Sequence, residues 1–170
     1  MPPLVVVGKQ AVIATKRIDS ALNPFIVSTM TDSAPFRSIV AVRWSDFDQY
    51  GHVNNTAYLE YAQQARVDFM TRGVGEGMPA SVVRRMEIDY IRAILPDTRE
   101  VIVDTEILEF GRTSYKLRQS VIDQHGHLTA VLDFVMVLFD LESAQAIEIP
   151  AATKQELERY VTSVASSEEN

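Results

Sequence analysis

One stretch of helical periodicity, standing between a single strand-like segment and four more, constrains this chain most. Tyr58, Tyr61, Ala62, Ala65 and Phe69 recur at the spacing of one helix face, and Gly73, Gly75 and Pro79 punctuate its far end. This predicts a helix from about Asn55 to Arg72. Ahead of it, Ser38 to Trp44 reads SIVAVRW, mostly β-branched or aromatic, which predicts a strand ending near Ser45. Behind it, Met86, Ile88 and Tyr90 alternate with Glu87, Asp89 and Ile91, and Val101, Val103, Thr105 and Ile107 alternate with more polar neighbours. Both are strands with one wetter face. Gly111-Arg112 and His125-Gly126 mark tight connections that separate Ser114–Ile122 from Leu128–Phe139. The last stretch is apolar on both faces, as a central strand would be. A long helix placed this way must find cover, and a curved antiparallel sheet wrapped around it provides that. The expected class is therefore α+β.

At the C-terminus Thr153 and Glu156 have capping-box spacing, and Leu157, Tyr160, Val161 and Val164 form an apolar stripe behind them. A short amphipathic helix is expected to close a single domain over residues 36–166, with 167–170 as a polar tail. The chain of 170 residues, 46% of them hydrophobic, is long enough to bury one core. Residues 1–35 mix apolar, polar and turn residues without sustained periodicity, so they are expected to form a poorly ordered extension outside that core. Met30, followed by TDSAPFRS, resembles a natural domain start, and the residues before it then reflect an over-long start assignment. An intact mass of the native protein that includes residues 1–29 would overturn that reading. The apolar run LVVVGKQAVIA is interrupted by Lys9 and Gln10, has no basic residues before it, and falls far short of the roughly 20 residues of a spanning helix. Neither a signal segment nor a membrane segment is expected.

Charge and composition exclude several function classes. With 16 Lys+Arg against 23 Asp+Glu, a net charge of -7 offers no global positive field for nucleic acid or anionic lipid. The absence of cysteine removes disulfides, thiolate zinc sites and a cysteine nucleophile, and it fits a cytoplasmic location. Neither a phosphate-binding glycine loop nor a serine nucleophile elbow is present.

Chemistry concentrates in Trp44 to Tyr61, WSDFDQYGHVNNTAYLEY. Two carboxylates, Asp46 and Asp48, precede Gly51-His52 and then Asn54-Asn55, directly before the predicted helix. Taken alone, a loop aspartate such as Asp48 most often holds a turn by bonding backbone amides. Asn54 has the form of a helix N-cap, and the first amides of that helix have no intrahelical partner. His52 is open to three roles: proton shuttle, substrate hydrogen-bond partner, or loop brace. Tyr58 and Tyr61 share the apolar helix face and suit a core or a pocket wall. Glu60 reads as a partly exposed helix glutamate. Asp46, Asp48 and His52 lack the further convergent ligands and second shell of a metal site, and His125-Gly126-His127 reads as a turn with flanking imidazoles. No metal or cofactor is expected.

The run DFDQYGHVNN followed by AYLEY resembles the 4-hydroxybenzoyl-CoA thioesterase and acyl-CoA thioesterase branch of the hotdog superfamily, most strongly over about Val42 to Arg66. It also resembles the corresponding segment of plant acyl-carrier-protein thioesterases, except that Tyr50 stands where those have asparagine, which argues against carrier-protein substrates. The resemblance implies a single hotdog domain that hydrolyses an acyl-CoA thioester to free acid and CoA without metal or organic cofactor. It assigns Asp48 as nucleophile or general base and the Asn55 backbone N–H as the group that polarises the carbonyl. Asp46, Tyr50, Gly51, His52 and Asn54 become loop supports or substrate contacts. It further implies a homodimer or homotetramer with sites at subunit interfaces. Two rivals stand beside it: a non-catalytic acyl-CoA-binding module, and a CoA-ester hydratase or dehydratase, which usually presents a different His and acid constellation.

Overall fold

The computed structural model describes residues 33–162. The expectations for residues 1–32, including the start at Met30, and for 163–170, including Val164, lie outside the described residues. Five strands form one antiparallel sheet: β1 (Phe36–Ala41), β2 (Ser81–Tyr90), β3 (Glu100–Phe110), β4 (Ser114–Asp123) and β5 (Leu128–Leu138). Their order across the sheet is β1-β3-β4-β5-β2. The helix α1 (Asn55–Asp68) lies between β1 and β2 in sequence, and the short α2 (Ala151–Glu158) follows the sheet. This is the α+β sheet-and-helix arrangement that the sequence pattern implied, and the hotdog fold that the resemblance implied.

Alternation in β3, β4 and β5 sends one residue in two toward α1. Val101, Val103, Ile107, Leu117, Val121, Leu132, Phe134, Met136 and Leu138 are buried there against Ala57, Tyr58, Tyr61, Ala62, Ala65 and Phe69. Each large side chain fully withdrawn from water contributes about 1.5–3 kcal/mol, so this face dominates the folding drive. The alanines at 57, 62 and 65 let the helix approach the sheet closely.

Three expected elements differ, each for a local reason. The first strand ends at Ala41 instead of running to Trp44, and Trp44–Asp46 forms a 3-10 turn with Trp44 91% exposed. The Asp46 carboxylate accepts the Arg43 backbone N–H at 2.8 Å and so curls the chain out of the sheet. The predicted helix continues from Asp68 into a wider, π-type turn over Phe69–Val74 and stops at Gly75, whose φ of 93° only glycine adopts easily. Gly73 within that turn leaves no room for a side chain, because a Cβ would lie 2.9 Å from Phe69 and 3.0 Å from Phe36. Helix α2 begins right after Pro150, so Thr153 is buried in its first turn rather than capping it, and the expected capping box does not form. Tyr160 and Val161 fall beyond α2, where Val161 bridges Ile107 in parallel and the Tyr160 carbonyl accepts the Ile107 N–H at 2.8 Å.

The alternation in β2 predicts one dry face, yet Met86 and Tyr90 remain 39% and 45% exposed. Position explains this. β2 is an edge strand paired only with β5, so its far side has no cover among the described residues.

Candidate active site

The chain between the 3-10 turn and α1 is built as a tight loop. Phe47 and Val53 bridge at its base, and the Asp48 N–H donates to the His52 carbonyl at 2.8 Å. Gly51 closes it with a φ of 73°, a left-handed conformation, and a Cβ there would meet only Pro96 in ordinary contact at 3.9 Å, so backbone freedom rather than crowding calls for glycine there. Inside the loop, Asp48 Oδ1 accepts the Tyr50 N–H at 2.8 Å and the His52 N–H at 3.2 Å. The turn-holding role is therefore real. It occupies one carboxylate oxygen and leaves Oδ2 without a hydrogen-bond partner among the described residues.

Asp46 has a different task. It is only 4% exposed and gathers the Arg43 amide, the Arg43 guanidinium at 2.9 Å and the Tyr61 hydroxyl at 2.8 Å. Its own carbonyl accepts the Asn54 N–H at 2.7 Å, which ties the brace to the residue that starts the helix. Burial, then the bond to the Asp46 carboxylate, push the Tyr61 phenol well above its ordinary pKa. Tyr61 thus ends at Asp46 in the core, away from the cavity beside Asp48. Glu60 pairs with the Arg43 guanidinium on the outer face of the helix.

Asn54 caps α1, its Oδ1 accepting the Thr56 N–H and the Thr56 hydroxyl, both at 2.9 Å. The next amide, Asn55 N–H, has no acceptor among the described residues. Helix geometry explains this, since a first-turn N–H has no carbonyl four residues behind it. Partial positive charge collects at that end of the helix.

Asp48, His52, Val53, Asn55 and Tyr58 line one cavity of about 230 Å³, closed on its other side by Tyr90, Ile91, Arg92 and Ala93. Tyr50 is 75% exposed and outside it. Gly51 and Asn54 likewise shape the loop and helix start without lining the cavity. The far wall escaped the sequence reading, because it comes from the end of β2, more than thirty residues on. Tyr90 stacks edge-on against Tyr58 at 5.3 Å, and its hydroxyl donates to the Asn55 carbonyl at 3.0 Å. Burial raises the pKa of Tyr58, whose hydroxyl donates to the Arg92 carbonyl at 3.3 Å. The one available signal was the break in alternation at Tyr90-Ile91, where two apolar residues stand in succession.

A larger open groove, about 590 Å³, runs along the outer face of α1 past Glu60, Gln63, Val67 and Asp68. Both of its carboxylates are already paired with arginines, and it lies on the side of the helix away from the sheet. The smaller cavity instead gathers an ionisable carboxylate, an imidazole and an unpaired helix amide on one wall. Among the described residues no group of three or more His, Cys, Asp or Glu side chains could hold a metal ion. No helix there is long and apolar enough to cross a membrane.

Comparison with known proteins identifies the family. A family model described as the thioesterase-like superfamily matches residues 42–157. The long-chain acyl-CoA thioesterase FadM of Escherichia coli is 27% identical over 128 residues, covering 72% of this chain and 96% of that protein. A Thermus thermophilus thioesterase, solved in complex with coenzyme A and Zn, is 31% identical with a TM-score of 0.64, covering 75% of this chain and 95% of its own. A thioesterase-superfamily structure from Jannaschia sp. CCS1 superimposes with a TM-score of 0.71 at 19% identity, covering 78% and 96% of the two chains, and so shares the fold. The chain belongs to the thioesterase-like superfamily and is a thioester hydrolase with that family's hotdog fold.

Proposed function

We propose that the Asp48 cavity hydrolyses acyl-CoA thioesters to a free acid and CoA. What carries the reading is the pairing, on one cavity wall, of a carboxylate oxygen without a partner and a helix amide without an acceptor. A thioester carbonyl set against the Asn55 N–H is polarised as negative charge builds on its oxygen, and one such donor contributes about 2.7–4 kcal/mol to a transition state. Asp48 either attacks that carbon itself or takes a proton from a water that attacks it. In both routes the carbon–sulfur bond breaks and sulfur leaves as the CoA thiolate; after direct attack the acyl–Asp48 anhydride is opened by water, which frees the acid and restores the carboxylate, so the net oxygen comes from water and the protons return to solvent. Asp46, with Arg43 and Tyr61, holds the loop in register, and His52 faces the cavity as the nearest imidazole. The same reading places the enzyme in the cytoplasm with its CoA substrate.

The assembly follows from the uncovered strand. β2 offers Val82, Val83, Met86 and Tyr90 to solvent along a ten-residue edge, and a second copy pairing there would cover them. Because Tyr90 ends that strand and lines the cavity, the dimer places each site at a subunit boundary. Replacing Val83 and Met86 with lysine is expected to halve the mass measured by light scattering; an unchanged mass refutes pairing through β2.

The activity is tested by release of free thiol from acyl-CoAs of graded chain length. Turnover of at least one member is expected. Tight acyl-CoA binding without thiol release from any of them would instead make this a binding module.

A further inference from the structure

Arg66, a partly buried cation between helix and sheet, has no carboxylate within ion-pair distance among the described residues. It shares one flank of α1 with Asn55, Leu59 and Ala62, at helical spacing. Its guanidinium lies 4.2 Å from the centre of the Phe134 ring and donates to Gln119 Oε1 at 3.1 Å. Gln119, fully buried, is itself held by donating to Thr105 Oγ1 at 3.1 Å. The cation is thus fixed against the inner face of the sheet. A guanidinium carries five donors, and this one finds a single acceptor among the described residues. Burial lowers the pKa of Arg66, as expected of a charge drawn out of water. A desolvated cation left without a counter-charge is costly, so its natural complement is an anion brought to it.

Beside Arg66 the sheet is open. Phe134 pairs with Met86, and Met136, Leu132 and Ala130 pair with Val83, Ile88 and Tyr90, so these β2 residues share the face that looks toward α1. Val83, Met86 and Tyr90 nonetheless remain exposed. An apolar trough therefore runs between this flank of α1 and β2, from Asn55 and Tyr90 at the Asp48 cavity to Arg66. Arg66 stands eleven residues beyond Asn55, which is about 16 Å of helix. Helical side chains lean toward the N-terminus, which brings the guanidinium to about 10 Å from the helix start. The neighbouring acids are engaged elsewhere. Glu60 and Asp68 pair with Arg43 and Arg72 away from this flank, and Glu87 pairs with Arg85 on the opposite face of β2.

We propose that Arg66 makes this enzyme select acyl groups that end in a carboxylate: the thioester lies at Asp48, the methylene chain in the trough, and the distal carboxylate on the guanidinium. The proposal rests on the acyl-CoA reading for the reacting end. Three CoA thioesters of one chain length test it: octanoyl-CoA, ω-hydroxyoctanoyl-CoA and the mono-CoA thioester of octanedioic acid. Thiol release is measured with the full-length chain and its Arg66→Gln and Arg66→Lys variants. Binding of the same thioesters is measured calorimetrically with Asp48→Asn, alone and combined with Arg66→Gln. The kcat/KM for the acid-ended thioester is expected to exceed that for octanoyl-CoA at least about tenfold, the scale of a charge-assisted contact in a desolvated site. Arg66→Gln removes the preference by depressing the acid-ended substrate alone, and Arg66→Lys keeps part of it.

Equal kcat/KM for the octanoyl and acid-ended thioesters in the wild-type chain overturns the proposal. An equal loss for all three substrates in Arg66→Gln also overturns it, because a side chain that merely braces the core acts on every substrate alike. A halved mass of Arg66→Gln in light scattering overturns it too, by placing the counter-charge on a second copy. Absent thiol release together with an Arg66-dependent preference for the acid-ended thioester in binding refutes the hydrolase reading and upholds the selection; absence of both refutes both.

Discussion

Replacing Asp48 with asparagine removes a charge while keeping the turn that this side chain holds. The asparagine Oδ1 still accepts the Tyr50 and His52 amides, now bonded at 2.8 and 3.2 Å, so the loop keeps its shape. Alanine removes both bonds. Each contributes about 0.5–1.5 kcal/mol net, and the loop is exposed enough to favour the low end. Asp48→Ala should therefore cost about 1–2 kcal/mol, a drop in Tm of about 2–8 °C for a chain this size, whereas Asp48→Asn should move Tm by less than about 2 °C. Activity separates in the other direction. Loss of a positioned base costs about 100- to 10,000-fold, or roughly 2.7–5.4 kcal/mol in the barrier. Both variants should lose that much in kcat on the best acyl-CoA, measured by thiol release, although only one is destabilised. If Asp48→Asn retains kcat within about threefold of wild type while Asp48→Ala loses both stability and rate, Asp48 is only a turn brace and the assigned chemistry is wrong.

Other residues yield narrower outcomes. Tyr61→Phe deletes a buried bond to a carboxylate and should cost about 2 kcal/mol, lowering Tm by about 4–8 °C in calorimetry, with kcat held within about threefold because Asp46 keeps both Arg43 contacts. Tyr90→Phe frees the Asn55 carbonyl and should lower kcat about fivefold with little change in Tm; an unchanged kcat would show that this phenol does not position the helix start. Although burial alone would raise the pKa of Asp123, bonds from His127 and His125 hold it below the ordinary carboxylate range. That stabilisation is complete above the unfolded value and is lost as pH falls through the folded one. Asp123→Asn should therefore flatten the fall in Tm below about pH 4.

The parts of the molecule that were legible in advance depend on short-range rules. Asn54 was readable as the cap because a small polar side chain stands just before a helical stripe, and β3, β4 and β5 because each alternates over many residues. Trp44 misled because an aromatic beside Val40 and Val42 reads as strand. What decides its place is a single carboxylate, two residues on, competing for the Arg43 amide. Thr153 and Glu156 have the spacing of a capping box, but Pro150 sets the helix start earlier. The Asp48 wall of the cavity was visible as one contiguous segment. The opposite wall, Tyr90 to Ala93, was not, since only the folded sheet brings the end of β2 to the start of α1.

The two edges of the sheet are unlike. Beside β1 the ladder on β3 runs only from Phe36 opposite Thr105 to Ala41 opposite Glu100, and where it stops the returning chain takes up the Ile107 amide through Tyr160. The other edge is longer, mixes exposed Val82, Val83, Met86 and Tyr90 with charged residues, and has no cover among the described residues. In the dimer proposed through β2, growth has a direction and an end: like margins would join about a twofold axis, and strand-by-strand extension into a fibre would find no equivalent margin to continue from.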